Sequence, residues 1–121
     1  MAKILVAEDD KFLANAYRVK LSKTDHEIKI VSDGQEVMDI LETFTPDIIL
    51  LDLIMPVKDG FSVLEELKKN EKWKNIPVIV ASNLGQKEDI DRSMLLGATD
   101  YIVKSDMHIN DILIKINNAL K

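Results

Sequence analysis

A small set of acids, one hydroxyl and one amine stand directly behind short apolar runs. Glu8, Asp9 and Asp10 follow ILVA at 4–7, Asp52 follows IILL at 48–51, Ser82 follows VIVA at 78–81, and Lys104 follows YIV at 101–103. A carboxylate at the end of a buried run costs free energy unless something offsets its desolvation. Clustered carboxylates repel and hold one another's protons unless a cation neutralises them. An all-oxygen cluster without His or Cys suits Mg²⁺, which takes a few carboxylates together with waters and phosphate oxygens. A lysine and a hydroxyl across from that cation would complete a cradle for a phosphoryl group. Asp52 could then be a nucleophile, because a carboxylate accepts a phosphoryl group covalently. Each residue also has a local reading. Asp10 could be a helix N-cap with Glu8 and Asp9 as solvated loop acids, Ser82 a turn residue, Asp52 a cap of the loop before Pro56, and Lys104 a solvated cation. Their convergence at the ends of similar runs favours the joint reading.

The elements that would position them follow from hydrophobic spacing. Apolar runs at 4–7, 28–31, 48–51, 78–81 and 101–103 have strand length and show no alternation, as expected of strands covered on both faces of a parallel sheet. Helical spacing lies between them: Leu13, Ala16, Tyr17 and Leu21; Val37, Ile40, Leu41 and Phe44; Ile109, Ile112, Leu113 and Ile116. Two shorter segments, 61–70 with Val63, Leu64 and Leu67, and 86–96 with Ile90, Met94 and Leu95, complete the alternation. Ser32-Asp33-Gly34 reads as an ordinary turn between the second strand and helix. Pro46 and Pro77 lead into the third and fourth strands, where an extended entry is forced. Gly97 follows the fourth helix, where a left-handed C-cap is expected. The order predicts an α/β doubly wound parallel sheet with helices on both faces. In such sheets ligands bind outside the carboxyl ends of the strands, which is where the chemical residues stand.

Composition narrows the function classes. A chain of 121 residues with 46% apolar content suits one compact domain spanning 1–121, and a net charge of -5 argues against sequence-independent nucleic-acid binding. The basic cluster Lys68, Lys69, Lys72 and Lys74 reads as a solvated helix end whose charges complement the helix dipole. With no cysteine, disulfides, thiolate metal sites and a cysteine nucleophile are excluded. The N-terminus lacks a signal-peptide pattern, and no apolar run approaches the roughly 18–20 residues needed to span a bilayer. The expectation is a soluble, cytoplasmic domain that does not engage a membrane.

Four stretches together resemble a known family. ILVAEDD, LLDLIMPVKDG around Asp52, VIVASN and GATDYIVK, in that order, are similar to the response-regulator receiver domains of two-component signalling, of the chemotaxis-regulator type. The resemblance spans essentially the whole chain. It implies a flavodoxin-like five-stranded sheet in the order 2-1-3-4-5, with Asp52 as the phosphoacceptor. It further implies Asp9 as a direct Mg²⁺ ligand, Glu8 as its water-mediated partner and the Ile54 carbonyl as another ligand. Ser82 would donate its hydroxyl to the phosphoryl oxygens, Lys104 would neutralise them, and Tyr101 would be the aromatic that changes rotamer with Ser82. A histidine kinase or phosphotransfer protein is implied upstream. Output is expected in trans to an unknown downstream protein, through a face of the fourth helix, fifth strand and fifth helix that includes Leu84, Ile90, Met94, Tyr101 and Lys104. The domain is expected to be no enzyme in the ordinary sense, although it assists its own phosphorylation and dephosphorylation, and to be a monomer or a weak phosphorylation-dependent dimer. Gly60 is expected to take a conformation closed to residues with a Cβ.

Two departures from the family pattern stand out. Ser105 replaces the proline that usually follows the lysine, which favours a trans bond there. Ile54 and Leu84 are apolar where polar side chains often line the approach to the acceptor. Rival readings are weaker on specific residues. An aspartyl-phosphate phosphatase needs a second acid two residues after the nucleophile, and that position is Ile54. A flavin or nucleotide carrier on the same fold lacks support, since no G-x-G-x-x-G follows the first strand. A degenerate receiver acting as a phosphorylation-independent binding module conflicts with the presence of all the key side chains.

Overall fold

The computed structural model describes residues 2–120. The elements run β1 (Lys3–Ala7), α1 (Lys11–Leu21), β2 (Glu27–Val31), α2 (Gly34–Ile40), β3 (Ile48–Leu51), α3 (Gly60–Lys69), β4 (Val78–Ser82), α4 (Lys87–Leu95), β5 (Asp100–Val103) and α5 (Ile109–Ala119), with one 3-10 turn at Lys104–Asp106. All strand pairs are parallel, and the sheet order is β2-β1-β3-β4-β5, as expected.

Alternate side chains of the central strands feed two apolar layers. Leu5, Ala7, Ile49, Leu51, Val78 and Val80 pack with Val37 of α2 and Val63, Leu64 and Leu67 of α3. Ile4, Val6, Ile48, Leu50, Ile79 and Ala81 pack with Tyr17 and Leu21 of α1 and Ile112 and Ile116 of α5. Removing a fully buried aliphatic side chain from water contributes about 1.5–3 kcal/mol, so both layers hold the strand ends rigidly. β2 departs from the expected two-sided cover. It is an edge strand whose Glu27 and Lys29 are exposed between half-buried Ile28 and Ile30.

The first three helix starts are capped by side chains: Asp10 for α1, Asp33 for α2 and Asp59 for α3 each accept backbone N–H groups. The start of α2 thus has a specific role for Asp33 in what read as an ordinary turn. The spacing from Val37 to Phe44 predicts a longer α2 than is found. The helix ends at Ile40, and Phe44 reaches the core from a following turn, its N–H donating to the Ile40 carbonyl at 2.9 Å. The chain must leave helical geometry before Pro46, which disfavours it in the preceding residue. Gly97, with φ at 108°, ends α4 as expected. The basic cluster is not uniformly solvated. Lys68 is half-buried and donates to the Lys74 and Ile76 carbonyls, and burial lowers its pKa.

Candidate functional site

Strand register brings the sequence-distant acids together. Ala7 lies opposite Leu51 in the β1–β3 ladder, and the Asp52 N–H continues it by donating to the Ala7 carbonyl at 3.1 Å. Glu8 and Asp52 therefore leave neighbouring strands side by side. Ser82 ends β4 opposite Val103 of β5, and Lys104 follows at once. These ends border a cleft of about 420 Å³ lined by Glu8, Asp9, Asp10, Leu13, Asp52, Ile54, Ser82, Asn83 and Lys104.

Glu8 and Asp52 are only 2% and 6% exposed, whereas Asp9 is open to solvent. One carboxylate oxygen from each of Glu8, Asp9 and Asp52 lies within 4.8 Å of the others. Lys104 bridges two of them: its Nζ donates to Glu8 Oε1 at 2.5 Å and to Asp52 Oδ2 at 3.0 Å. Burial raises the Glu8 pKa, the hydrogen bond and charge of Lys104 oppose that rise, and the Asp52 charge adds to it. Burial alone would lower the Lys104 pKa, but the Glu8 hydrogen bond and the charges of Asp52 and Glu8 outweigh it and raise the pKa. Three carboxylates thus face one ammonium. The excess negative charge, the all-oxygen donors and the open Asp9 side fit a divalent cation that prefers oxygen.

The local readings survive in part: Asp9 is exposed, and Asp52 Oδ1 accepts the Ile54 N–H at 3.3 Å in the loop before Pro56. Asp10 is indeed the α1 N-cap, accepting from Phe12 and Leu13 N–H at 2.9 and 3.2 Å. Lys104 is not solvated, because its side chain is 9% exposed between two acids. It is therefore not available on the α4–β5–α5 surface, where the sequence placed it. Ser82 is wholly buried, and its Oγ accepts the Leu84 N–H at 3.3 Å. The Tyr101 hydroxyl donates to the carbonyl of the same Leu84. Ser82 and Tyr101 thus hold the two polar groups of one residue. Burial raises the Tyr101 pKa, with the Ser82 hydroxyl acting against the rise. Leu84 is half-buried and packs against the core, whereas Ile54, 58% exposed, borders the cleft. Only one of the two expected apolar side chains lines the approach.

Sequence reasoning placed Tyr17 on a helix face and gave it no part in the site. It is 1% exposed, and its pKa is pushed up by burial and by the charges of Glu8 and Asp52. Its polar hydroxyl on the inward face of α1 was the available signal. The loop after Asp52 also corrects an expectation. Gly60 is not left-handed; a Cβ there would meet the Asp52 carbonyl oxygen at 2.2 Å, so close approach is what demands glycine. The left-handed residue is Val57, with φ at 68°, where the Lys58 N–H donates to the Pro56 carbonyl at 2.7 Å. Among the described residues no peptide is cis, in line with Ser105 after Lys104.

Fold and cleft together define a doubly wound α/β domain with an acidic, lysine-bridged cleft at the carboxyl edge of its sheet. The chain belongs to the response regulator receiver domain family, whose sequence model matches residues 4–117. Over 121 residues it is 29% identical to the DNA-binding dual master transcriptional regulator RpaA of Synechocystis sp., covering all of this chain and 50% of that protein. It therefore spans half the length of that relative. Among solved structures it resembles the phosphorylated cyanobacterial phytochrome response regulator RcpA, with a TM-score of 0.84, 35% identity, and coverage of 95% of this chain and 87% of that one. It also resembles the Mn²⁺-bound form of response regulator Rcp1, with a TM-score of 0.83, 32% identity, and coverage of 98% and 91%. None of the helices among the described residues is long and apolar enough to cross a membrane.

Proposed function

We propose that this receiver domain takes a phosphoryl group onto Asp52 from a phosphohistidine of a histidine kinase or phosphotransfer protein in the cytoplasm. The observation that carries this reading is the bridging of buried Glu8 and Asp52 by Lys104 beside an open third carboxylate. Asp9 and Asp52 would hold Mg²⁺ directly, with Glu8 through water and the Ile54 carbonyl as a further ligand. Bound there, the ion supplies positive charge against the phosphoryl oxygens. An Asp52 oxygen forms the new O–P bond as the donor's N–P bond breaks and the imidazole nitrogen leaves. Lys104, already within reach of Asp52, neutralises charge on the incoming group. Ser82 Oγ turns from the Leu84 N–H to donate to a phosphoryl oxygen. That frees one side of Leu84, and Tyr101, bonded to the other, adjusts with it. The consequence is a changed α4–β5–α5 surface for a downstream partner. The same groups assist phosphoryl loss to water. Solved relatives in phosphorylated and Mn²⁺-bound forms support both halves of the assignment.

Intact-mass measurement after treatment with a small phosphodonor and Mg²⁺ tests it. Wild type gains one phosphoryl group and retains it, whereas Asp52→Asn gains none. Asp9→Asn keeps the fold by circular dichroism and loses phosphorylation. Normal uptake by Asp9→Asn defeats the metal assignment, and normal uptake by Asp52→Asn defeats the acceptor.

A further inference from the structure

The loop between β3 and α3 is clamped from two sides. Gly60 presses on the Asp52 and Leu53 backbone at one end. At the other, Gly34 opens α2 directly against Lys58. A Cβ on Gly34 would meet the Lys58 carbonyl oxygen at 2.0 Å and its carbon at 2.7 Å. Those atoms belong to backbone, so a side chain at position 34 requires either the loop or the helix to move. The helix start is itself tied down. Asp33 accepts the Glu36 N–H at 2.8 Å, and Glu36 accepts from the Ser32 N–H and hydroxyl, each at 2.7 Å. The Lys58 side chain is held by Glu66 at 2.5 Å. The Lys58 N–H closes the turn over left-handed Val57 onto Pro56. Displacing Lys58 therefore disturbs a strained turn only a few residues beyond Ile54.

We propose that Gly34 is a positioning residue for the cation site: its missing side chain lets α2 seat the β3–α3 loop in the geometry that the carboxylate cluster needs. The inference rests on the reading of Glu8, Asp9, Asp52 and Ile54 as that site. Gly34 touches no ligand group and needs no left-handed backbone; it acts through Lys58 by close approach alone. By linkage, cation binding and the packing of α2 on the loop must stabilise each other.

The test is titration calorimetry of Mg²⁺ into the 121-residue chain as wild type, Gly34→Ala and Val37→Ala. Val37 is wholly buried on the same helix, so its truncation weakens α2 packing while adding no side chain against the Lys58 backbone. Gly34→Ala should bind at least about tenfold more weakly, with Val37→Ala within about twofold of wild type. Equal affinity of Gly34→Ala and wild type overturns the positioning role, as does an equal loss in Val37→Ala. Failure of wild type to bind Mg²⁺ overturns the cation reading beneath it. Should Gly34→Ala not fold, hydrogen exchange on wild type decides. Saturating Mg²⁺ should slow amides at 34–38 together with those at 54–60, and unchanged exchange at 34–38 overturns the coupling.

Discussion

At the scale of single residues, two apolar side chains, one in the β3–α3 loop and one in the β4–α4 loop, carry separate consequences. Ile54 borders the cleft and is half-exposed over Asp52, while Leu84 turns into the core. A polar side chain beside an acyl phosphate can orient the attacking water, and Ile54 offers no hydrogen bond. Under the proposed assignment, Ile54→Asn should lower the barrier to phosphoryl loss by about 1–2 kcal/mol, roughly five- to thirtyfold in rate. Leu84→Ala should change that rate less. Following the phosphorylated mass over time checks both, and an unchanged rate in Ile54→Asn shows that shielding by Ile54 does not set the rate of loss. Val57 is a β-branched residue held at φ 68° and 81% exposed, so it carries strain with little burial in return. Asn tolerates this region. Val57→Asn should therefore raise stability by about 1 kcal/mol, read from the urea midpoint at constant m-value.

At the scale of elements, α2 combines a short length with a strong start. Glu36 accepts from the Ser32 hydroxyl and N–H, and these bonds hold its carboxyl below the ordinary glutamate range. A carboxylate with a depressed folded-state pKa contributes stability above the unfolded value and loses it as pH falls through the folded one. The melting temperature of wild type should exceed that of Glu36→Gln near about pH 7, and the gap should close by about pH 3. A gap independent of pH would show that the carboxylate charge is not what secures the helix start. α4 is anchored differently. Its N-cap, Gln86, makes no side-chain bond, and Ser93 is its one fully buried residue. What ties it to α3 is the Arg92 guanidinium, 4.1 Å from the Phe61 ring centre. A helix with one buried residue and no side-chain cap is suited to shift when the loop before it changes.

At the scale of the whole molecule, the site and the α4–β5–α5 surface meet at Leu84, which Ser82 and Tyr101 hold through its N–H and carbonyl. Tyr101→Phe deletes one of those bonds while leaving the acidic cleft untouched. Amides of 84–86 should exchange faster in this variant, while phosphoryl uptake on Asp52 stays at the wild-type level. Exchange that remains unchanged would remove Tyr101 from the path between site and surface.

Sequence alone determined which strand ends carry the acids, the hydroxyl and the amine, for a local reason. An acid, hydroxyl or amine directly behind an unbroken aliphatic run has only the strand terminus to occupy, and the alternation of strand and helix periods dictates the parallel sheet. Glu8, Asp52, Ser82 and Lys104 were legible on that ground, and MPVKDG sharpened the family. Interactions between distant segments were left to the tertiary structure. Register decided that Lys104 bridges Glu8 and Asp52 instead of facing solvent, and that Leu84 points inward while Ile54 lines the cleft. The edge position of β2 exposed Glu27 and Lys29, and the bend toward Pro46 ended α2 before Phe44. The meeting of Gly34 with the Lys58 carbonyl has no sequence signature at all. It arises where α2 and the β3–α3 loop pack together, and a close contact between backbones is written in neither segment by itself.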